Sequence, residues 1–293
     1  MHAADDRAAY PADLLEMVEG YLAAVDFGED ARAARLVAAM RHSLLAGGKR
    51  IRPVLVLATV RSLGGRPEDA LPTAAAFEFI HTYSLIHDDL PAIDDDTLRR
   101  GRPTCHVAFG EDVAILAGDG LFAEAFLLLL ERQTAAADVL LAAALEIARA
   151  TGLQGMVGGQ YMDVAGLAAG DDDLRLLHAL KTGRLIEAAV VCGALLGGAA
   201  DLRPYRRFAA ELGLLFQIVD DILDEKGSPE ELGKSVGKDR EQQKVTYVSR
   251  FGMEEAERLA RAAYERAAER LAEMPGATDD LAAITSYILC RHT

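Results

Sequence analysis

EEAERLARAAYERAAERLAEM, residues Glu254 to Met274, decides the fold class. Alanine and leucine return every three or four residues along one side while arginines and glutamates fill the wet face, the pattern of an amphipathic helix. Working outward, VLLAAALEIARA, Val139 to Ala150, is an equally strong helix former. Valine and isoleucine are less common than alanine and leucine, and tryptophan is absent. Breaks fall at Gly47-Gly48, Gly64 to Pro67, Arg100 to Pro103, Ala168 to Asp171, Gly197-Gly198 and Gly227 to Pro229, each short enough for a turn between helices. There is no long linker, fixed-period repeat or low-complexity tract. Residues 1 to 293 are therefore expected to form a single all-α domain of about ten helices.

Composition narrows the function. The 293 residues are 51% hydrophobic and 26% charged, which suits a globular chain with a large core and not a disordered one. With 46 acidic against 31 basic side chains the net charge is -15, so a broad grip on nucleic acid or anionic lipid is not expected. An anionic ligand would need local cations or a metal. Cys105, Cys192 and Cys290 are an odd set without a CxxC, which argues for free thiols in a reducing cytoplasm and against a zinc site. The N-terminus lacks the basic start and apolar stretch of a signal peptide, and no apolar run approaches the roughly 18 residues of a spanning helix. The longest, near Phe126 to Leu130, lies between Glu124 and Glu131 and reads as core. No GxGxxG or GxxxxGK[ST] motif follows a strand, so phosphate, if bound, is held in another way.

Two acidic clusters carry the chemistry. His87 to Asp96 holds five aspartates within nine residues, Asp88, Asp89, Asp94, Asp95 and Asp96, directly after the apolar run Phe77 to Ile86. Such mutual repulsion is not favoured by stability and wants a cation. In the second cluster, Asp220-Asp221-Ile222-Leu223-Asp224, residues four apart differ by about 40° on a helix. Asp220 and Asp224 thus share a face, and Asp221 points away. Either cluster alone could be a solvated helix end; two of them, each ending an apolar helix, are harder to dismiss. Carboxylate oxygens without nearby cysteine or histidine pairs suit Mg²⁺, which completes its shell with water and substrate phosphate. A diphosphate ligand is therefore expected. Spacing does not choose among Asp94, Asp95 and Asp96, because Asp88 and Asp94 lie about 240° apart on an ideal helix. Pro91 makes a straight helix through the segment improbable.

In a chain this acidic, Gly47-Gly48-Lys49-Arg50-Ile51-Arg52-Pro53 and Arg99-Arg100-Gly101-Arg102-Pro103 stand out as the cationic counterpart. Glycines let backbone approach an anion, and arginine forks match phosphate oxygens.

The segments GGKRIRP, HTYSLIHDDLPAIDDDTLRRGRPTCH, GMVGGQYMD, KTG, FQIVDDILD and LGKSVGKD, in this order over roughly residues 40 to 250, closely resemble the head-to-tail trans-isoprenyl diphosphate synthases. The likeness is greatest to bacterial-type farnesyl diphosphate synthases. It implies a single helical bundle around a deep central cavity, a homodimer, and three Mg²⁺ per site. By the same resemblance Asp88 and Asp94 match metal ligands of the first motif, and Asp220 and Asp224 those of the second. Lys49, Arg52, His81 and Arg100 match the isopentenyl diphosphate site. Arg99, Lys181, Thr182, Gln217, Lys234 and Lys244 match positions around the allylic diphosphate and the developing carbocation. Gln160 and Asp163 are expected to line the cavity. The implied reaction is ionisation of an allylic diphosphate, condensation with isopentenyl diphosphate, and loss of a proton, with no side-chain general base evident.

On a helix, Ser84 and Tyr83 lie about 6 Å and 7.5 Å below Asp88. In the family, an aromatic residue five positions before the first aspartate, combined with the long first motif DDxxxxD, goes with a fifteen-carbon product. Dimethylallyl and geranyl diphosphates are thus expected to be elongated to farnesyl diphosphate, with geranylgeranyl or geranyl diphosphate as alternatives. A class I terpene cyclase has no use for GGKRIRP. A catalytically silent regulatory partner would not need both aspartate clusters.

Overall fold

The computed structural model describes residues 10–28, 30–226 and 245–290. It is all-α, as the periodicity predicts. Fourteen α-helices run through the described residues: α1 Ala12–Ala24, α2 Ala34–Leu44, α3 Ile51–Ser62, α4 Leu71–Asp88, α5 Cys105–Phe109, α6 Glu111–Leu127, α7 Ala137–Thr151, α8 Met156–Val164, α9 Asp171–His178, α10 Arg184–Leu196, α11 Arg203–Lys226, α12 Tyr247–Phe251, α13 Met253–Ala272 and α14 Asp279–Cys290. The one sheet among these residues is a two-stranded hairpin, β1 Leu98–Arg99 with β2 Arg102–Pro103. Its central residues Arg100 and Gly101 both have positive φ, 54° and 72°, the signature of a type I′ turn.

Three helices form the middle of the bundle because their sequences have no wet face. Every residue from Ile51 to Val60 in α3 and from Thr73 to Ile80 in α4 is buried, as are most of those from Leu185 to Ala194 in α10. A helix apolar all round must be surrounded. Accordingly α4 packs on α3 and α6, and α10 packs on α3, α7 and α11. The stretch that announced the fold becomes α13, which lays Ala256, Ala260, Ala263, Ala267 and Leu271 against α11. Small side chains at that spacing let the two helices approach closely.

The reading of Phe126 to Leu130 as core is only half right. Leu128 and Leu129 are buried, but Leu127 and Leu130 are 43% and 53% exposed, and residues Leu128–Arg132 form a π-helical turn. Leu116 on α6 and Leu141 on α7 are also exposed. Two helical stretches, Glu111–Arg132 and Ala137–Val164, are in fact long and apolar enough to cross a membrane by length and composition alone, contrary to the sequence reading. Their apolarity is spread around the helix rather than gathered in a run.

Candidate active site

A cavity of about 590 Å³ opens between α3, α4, α8 and α11. Eleven of the residues singled out in the sequence line it: the cations Lys49, Arg52, Arg99, Arg100 and Lys181; the carboxylates Asp88 and Asp220; His81 and Thr182; and Tyr83 and Ser84 on α4. Gln160 lines it as well, with its Oε1 buried and unpartnered. Asp94, Asp224, Gln217 and, against expectation, Asp163 are not part of this lining; Asp163 is drawn to Lys181 instead. Gln217 instead turns its amide to Asp221, donating at 2.8 Å. Lys234 and Lys244 lie outside the described residues.

The first aspartate cluster is built by a helix that stops. α4 ends at Asp88, as Pro91 requires, and the chain then folds back so that the Asp94 N–H donates to the Asp88 carbonyl at 2.9 Å. Asp95 takes a left-handed φ of 49° to complete the reversal. This brings the charge of Asp94 to bear on Asp88, which spacing on a straight helix forbids. Asp96 and Asp89 face elsewhere. Both accept from the Arg99 guanidinium, Asp96 at 3.2 Å, so Arg99 closes the loop between the helix end and the hairpin. Burial pushes the Asp88 carboxyl up to about 6; Asp94 and Asp89 push the same way, against Lys181 and Arg99.

Across the cavity α11 presents Asp220. Its neighbour Asp221 points away, as the helical angle predicts, and accepts from the Tyr247 backbone N–H at 2.7 Å and from Gln217. It thereby fixes the start of α12 to α11.

Lys181 and Thr182 stand on a second π-helical turn, Ala179–Gly183, just before α10. Such widened turns recur at functional sites because they aim side chains that a regular helix would not. The Lys181 Nζ lies 2.5 Å from Asp163 of α8. The approach depends on Gly159, where a Cβ would sit 2.3 Å from the Lys181 nitrogen. The Gly158-Gly159 pair thus serves the close packing of α8 against Leu153 and the Lys181 turn.

The cationic wall has its own geometry. Arg100, aimed by the hairpin turn, donates to the Gly47 carbonyl, and its guanidinium covers Gly48 so tightly that a Cβ there would lie 2.6 Å away. The Tyr10 hydroxyl donates to the Lys49 carbonyl at 2.8 Å. Burial lowers the Arg52 guanidinium to about 10, with Glu78 and Asp220 opposing the fall, so it stays charged at neutral pH. Burial and the surrounding Arg52 and Arg100 hold His81 well below the usual imidazole range, leaving a neutral ring. Arg50, Asp95 and Arg100 are the only non-glycine residues with positive φ among the described residues; Arg50 and Arg100 line the cavity, and Asp95 lies on the loop that follows Asp88. Strain gathered in one place is a mark of function.

Sequence reasoning did not single out Glu78, Phe216 or Ile93, which also line the cavity. Glu78 had a visible signal, a lone carboxylate inside the apolar run of α4.

Carboxylate and guanidinium groups lining one pocket in a helical shell define a class of protein, one suited to holding a polyanion with a divalent cation. Residues 33–281 match the polyprenyl synthetase family model. The chain is 46% identical over 259 residues to a geranylgeranyl diphosphate synthase of Cyanophora paradoxa, covering 86% of each. It is 45% identical over 264 residues to a chloroplastic geranylgeranyl pyrophosphate synthase of Arabidopsis thaliana, covering 87% of this chain and 74% of that one. Its fold is similar, with a TM-score of 0.86 at 29% identity, to a geranyltransferase of Helicobacter pylori solved with magnesium and isoprenyl diphosphate, covering 99% of this chain and 98% of the other. The chain belongs to the polyprenyl synthetase family and is a trans-prenyltransferase.

Proposed function

We propose that this prenyltransferase condenses isopentenyl diphosphate with allylic diphosphates and releases geranylgeranyl diphosphate. The observation that carries the reaction is the single cavity bordered by Asp88, Asp220, Lys181 and the arginine wall. The names of its relatives favour the twenty-carbon product over the farnesyl product expected from Tyr83. The farnesyl reading keeps one specific support. The Tyr83 ring lines the cavity and is held edge-on by Phe122, at 5.1 Å between centroids, and by His87 at 5.7 Å.

The donor set fits Mg²⁺. Asp88 and Asp220 offer only hard oxygens, and no group of three or more His, Cys, Asp or Glu side chains among the described residues encloses a metal unaided. Mg²⁺ held by one or two carboxylates and completed by substrate oxygens needs no such cage. Asp88 and Asp220 would hold it from the cavity lining, with Asp94 beside Asp88 and Asp224 one turn along from Asp220 as the further ligands that the resemblance implies, and when bound it would supply positive charge to the diphosphate oxygens.

The side chains do the rest. Lys181 and Arg99 stand where negative charge grows as the allylic C–O bond breaks, so their attraction is stronger in the transition state than before it. Thr182 and Gln160 offer oxygens toward the cation left behind. Lys49, Arg52 and Arg100 hold the second diphosphate so that its double bond attacks before water does. Tyr83, Leu85, Ile93, Met156 and Phe216 give the cavity its apolar lining, which helps to exclude water. The new C–C bond forms as the alkene electrons fill the cation, and the proton then lost passes to the departed diphosphate.

The exposed leucines of α6 and α7 suit burial against a second copy in a homodimer. Incubating the purified protein with Mg²⁺, dimethylallyl diphosphate and isopentenyl diphosphate, then separating products by chain length, tests the proposal. Mainly geranylgeranyl diphosphate is expected. Mainly farnesyl diphosphate would return the assignment to Tyr83, and no elongation would reject the substrates.

A further inference from the structure

The cationic wall contains a charge pair that the reaction does not consume. Arg50 sits between Lys49 and Arg52 with its side chain 0% exposed, and Glu78 of α4 is 1% exposed. The Arg50 guanidinium donates from Nη1 to Glu78 at 2.5 Å, from Nε to Glu19 of α1 at 2.8 Å, and from Nη2 to the Leu44 carbonyl at the end of α2, also at 2.8 Å. One fork thus ties three helices to the loop that opens α3. The Arg50 backbone is left-handed, φ 48° and ψ 39°, at the N-cap of α3. Any residue with a Cβ resists that conformation, so the surrounding contacts must impose it.

The pair is a poor device for stability. A buried ion pair is often matched or bettered by apolar residues of similar volume, whereas breaking one side strands a charge. Its placement suggests another purpose. The left-handed turn stands at the N-cap of α3, within the Lys49 to Arg52 segment that lines the cavity, and there Arg50 commits its guanidinium to protein acceptors. The Arg52 Nε is buried with no protein hydrogen-bond partner, while its guanidinium lies 5.9 Å over the Phe216 ring. A donor fixed by packing and left without a protein acceptor is poised for a ligand. Glu78 also sets one negative charge beneath Arg50, Arg52 and Arg100, which lets three cations share one wall.

We infer that Arg50 and Glu78 are positioning residues. Their buried pair holds the Lys49 to Arg52 segment in a strained register so that Lys49 and Arg52 meet the diphosphate arriving at this wall. The inference rests on the proposed reading of the wall as the isopentenyl diphosphate site.

The test is steady-state kinetics of Arg50→Met/Glu78→Met, with Lys49→Ala as control. The double variant is expected to fold with a lowered but cooperative melt, because both charges of the buried pair leave together and Glu19, 39% exposed, stays solvated, while Arg52 and Arg100 lose the counter-charge of Glu78. Its KM for isopentenyl diphosphate should rise about tenfold or more, while its KM for the allylic substrate changes by less than about threefold. A merely structural pair would move both constants together or neither, and either result overturns the inference. Should the double variant fail to fold, Arg50→Lys decides, since it keeps the charge and loses the fork. A selective rise in the isopentenyl KM is expected there, and a wild-type value overturns the inference. If Lys49→Ala raises that KM and the charge-pair variants do not, the inference alone fails. If Lys49→Ala leaves it unchanged, the wall's assignment fails and the inference with it.

Discussion

The two charged walls of the cavity meet the difficulty of burying charge in opposite ways. On the cationic wall Arg50 is paired with Glu19 and Glu78, and at its edge Arg99 is paired with Asp89 and Asp96. On the carboxylate wall burial pushes the Asp88 carboxyl up to about 6, with Asp94 and Asp89 adding to the rise against Lys181 and Arg99. The difference teaches that the cationic wall is held by protein partners, whereas the buried charge at Asp88 is one that an added cation would relieve. Stability and activity should therefore respond in opposite directions when the carboxylate wall is changed, and in the same direction when the framework around the cations is broken.

Metal removal is expected to have the largest effect. Chelation of divalent cations should abolish condensation, and Mg²⁺ should restore it; activity that persists in excess chelator would break the comparison. Next comes Asp88→Asn. The folded carboxyl titrates near 6 against about 4 when unfolded, so between those values the folded state binds more protons and stability falls as pH rises. At pH 7.5 without metal, Asn should thus stabilise the chain by about 1–3 kcal/mol while removing most activity. Thermal melts of the two proteins check this, and a lower melting temperature for the variant would count against repulsion at the site.

His178 offers the reverse sign. Burial lowers it to about 4, and its Nδ1 has no protein partner. Below the unfolded value near 6.5 the unfolded chain takes up a proton that the folded chain refuses, so stability is lost as pH falls toward 4. His178→Gln should flatten that acid-side decline in melts between pH 7 and 4.5; an unchanged decline would place its origin elsewhere. The smallest expected effect is at Tyr83. Tyr83→Ala should shift product length upward by an isoprene unit with little change in overall rate, and an unchanged distribution would put the cavity floor deeper.

Much of this was legible in the sequence, for identifiable reasons. Glu254 to Met274 announces α13 because one of its faces stays wet. Asp220 and Asp221 diverge as helical angles dictate, and Pro91 ends α4 where a missing donor must. Other features were hidden by context. The approach of Asp94 to Asp88 depends on a loop reversal through Asp95, which helix spacing cannot express. The pairing of Arg50 with Glu78 joins residues 28 apart, and α4 is buried all round, so no periodicity marks Glu78 as special. Leu127 and Leu130 looked like core because local composition reports apolarity and not which face the fold covers. The farnesyl expectation rested on Tyr83 and the long first motif, both local features, while product length depends on the packing around that ring, including its edge contact with Phe122.

The most direct measurement is the single-turnover rate of geranyl diphosphate with isopentenyl diphosphate and saturating Mg²⁺, comparing wild type with Asp88→Ala/Asp220→Ala. A fall of roughly a thousandfold or more, with helical content retained, is expected if these opposed carboxylates carry the cation that draws off the leaving group. A rate within about tenfold of wild type would contradict it.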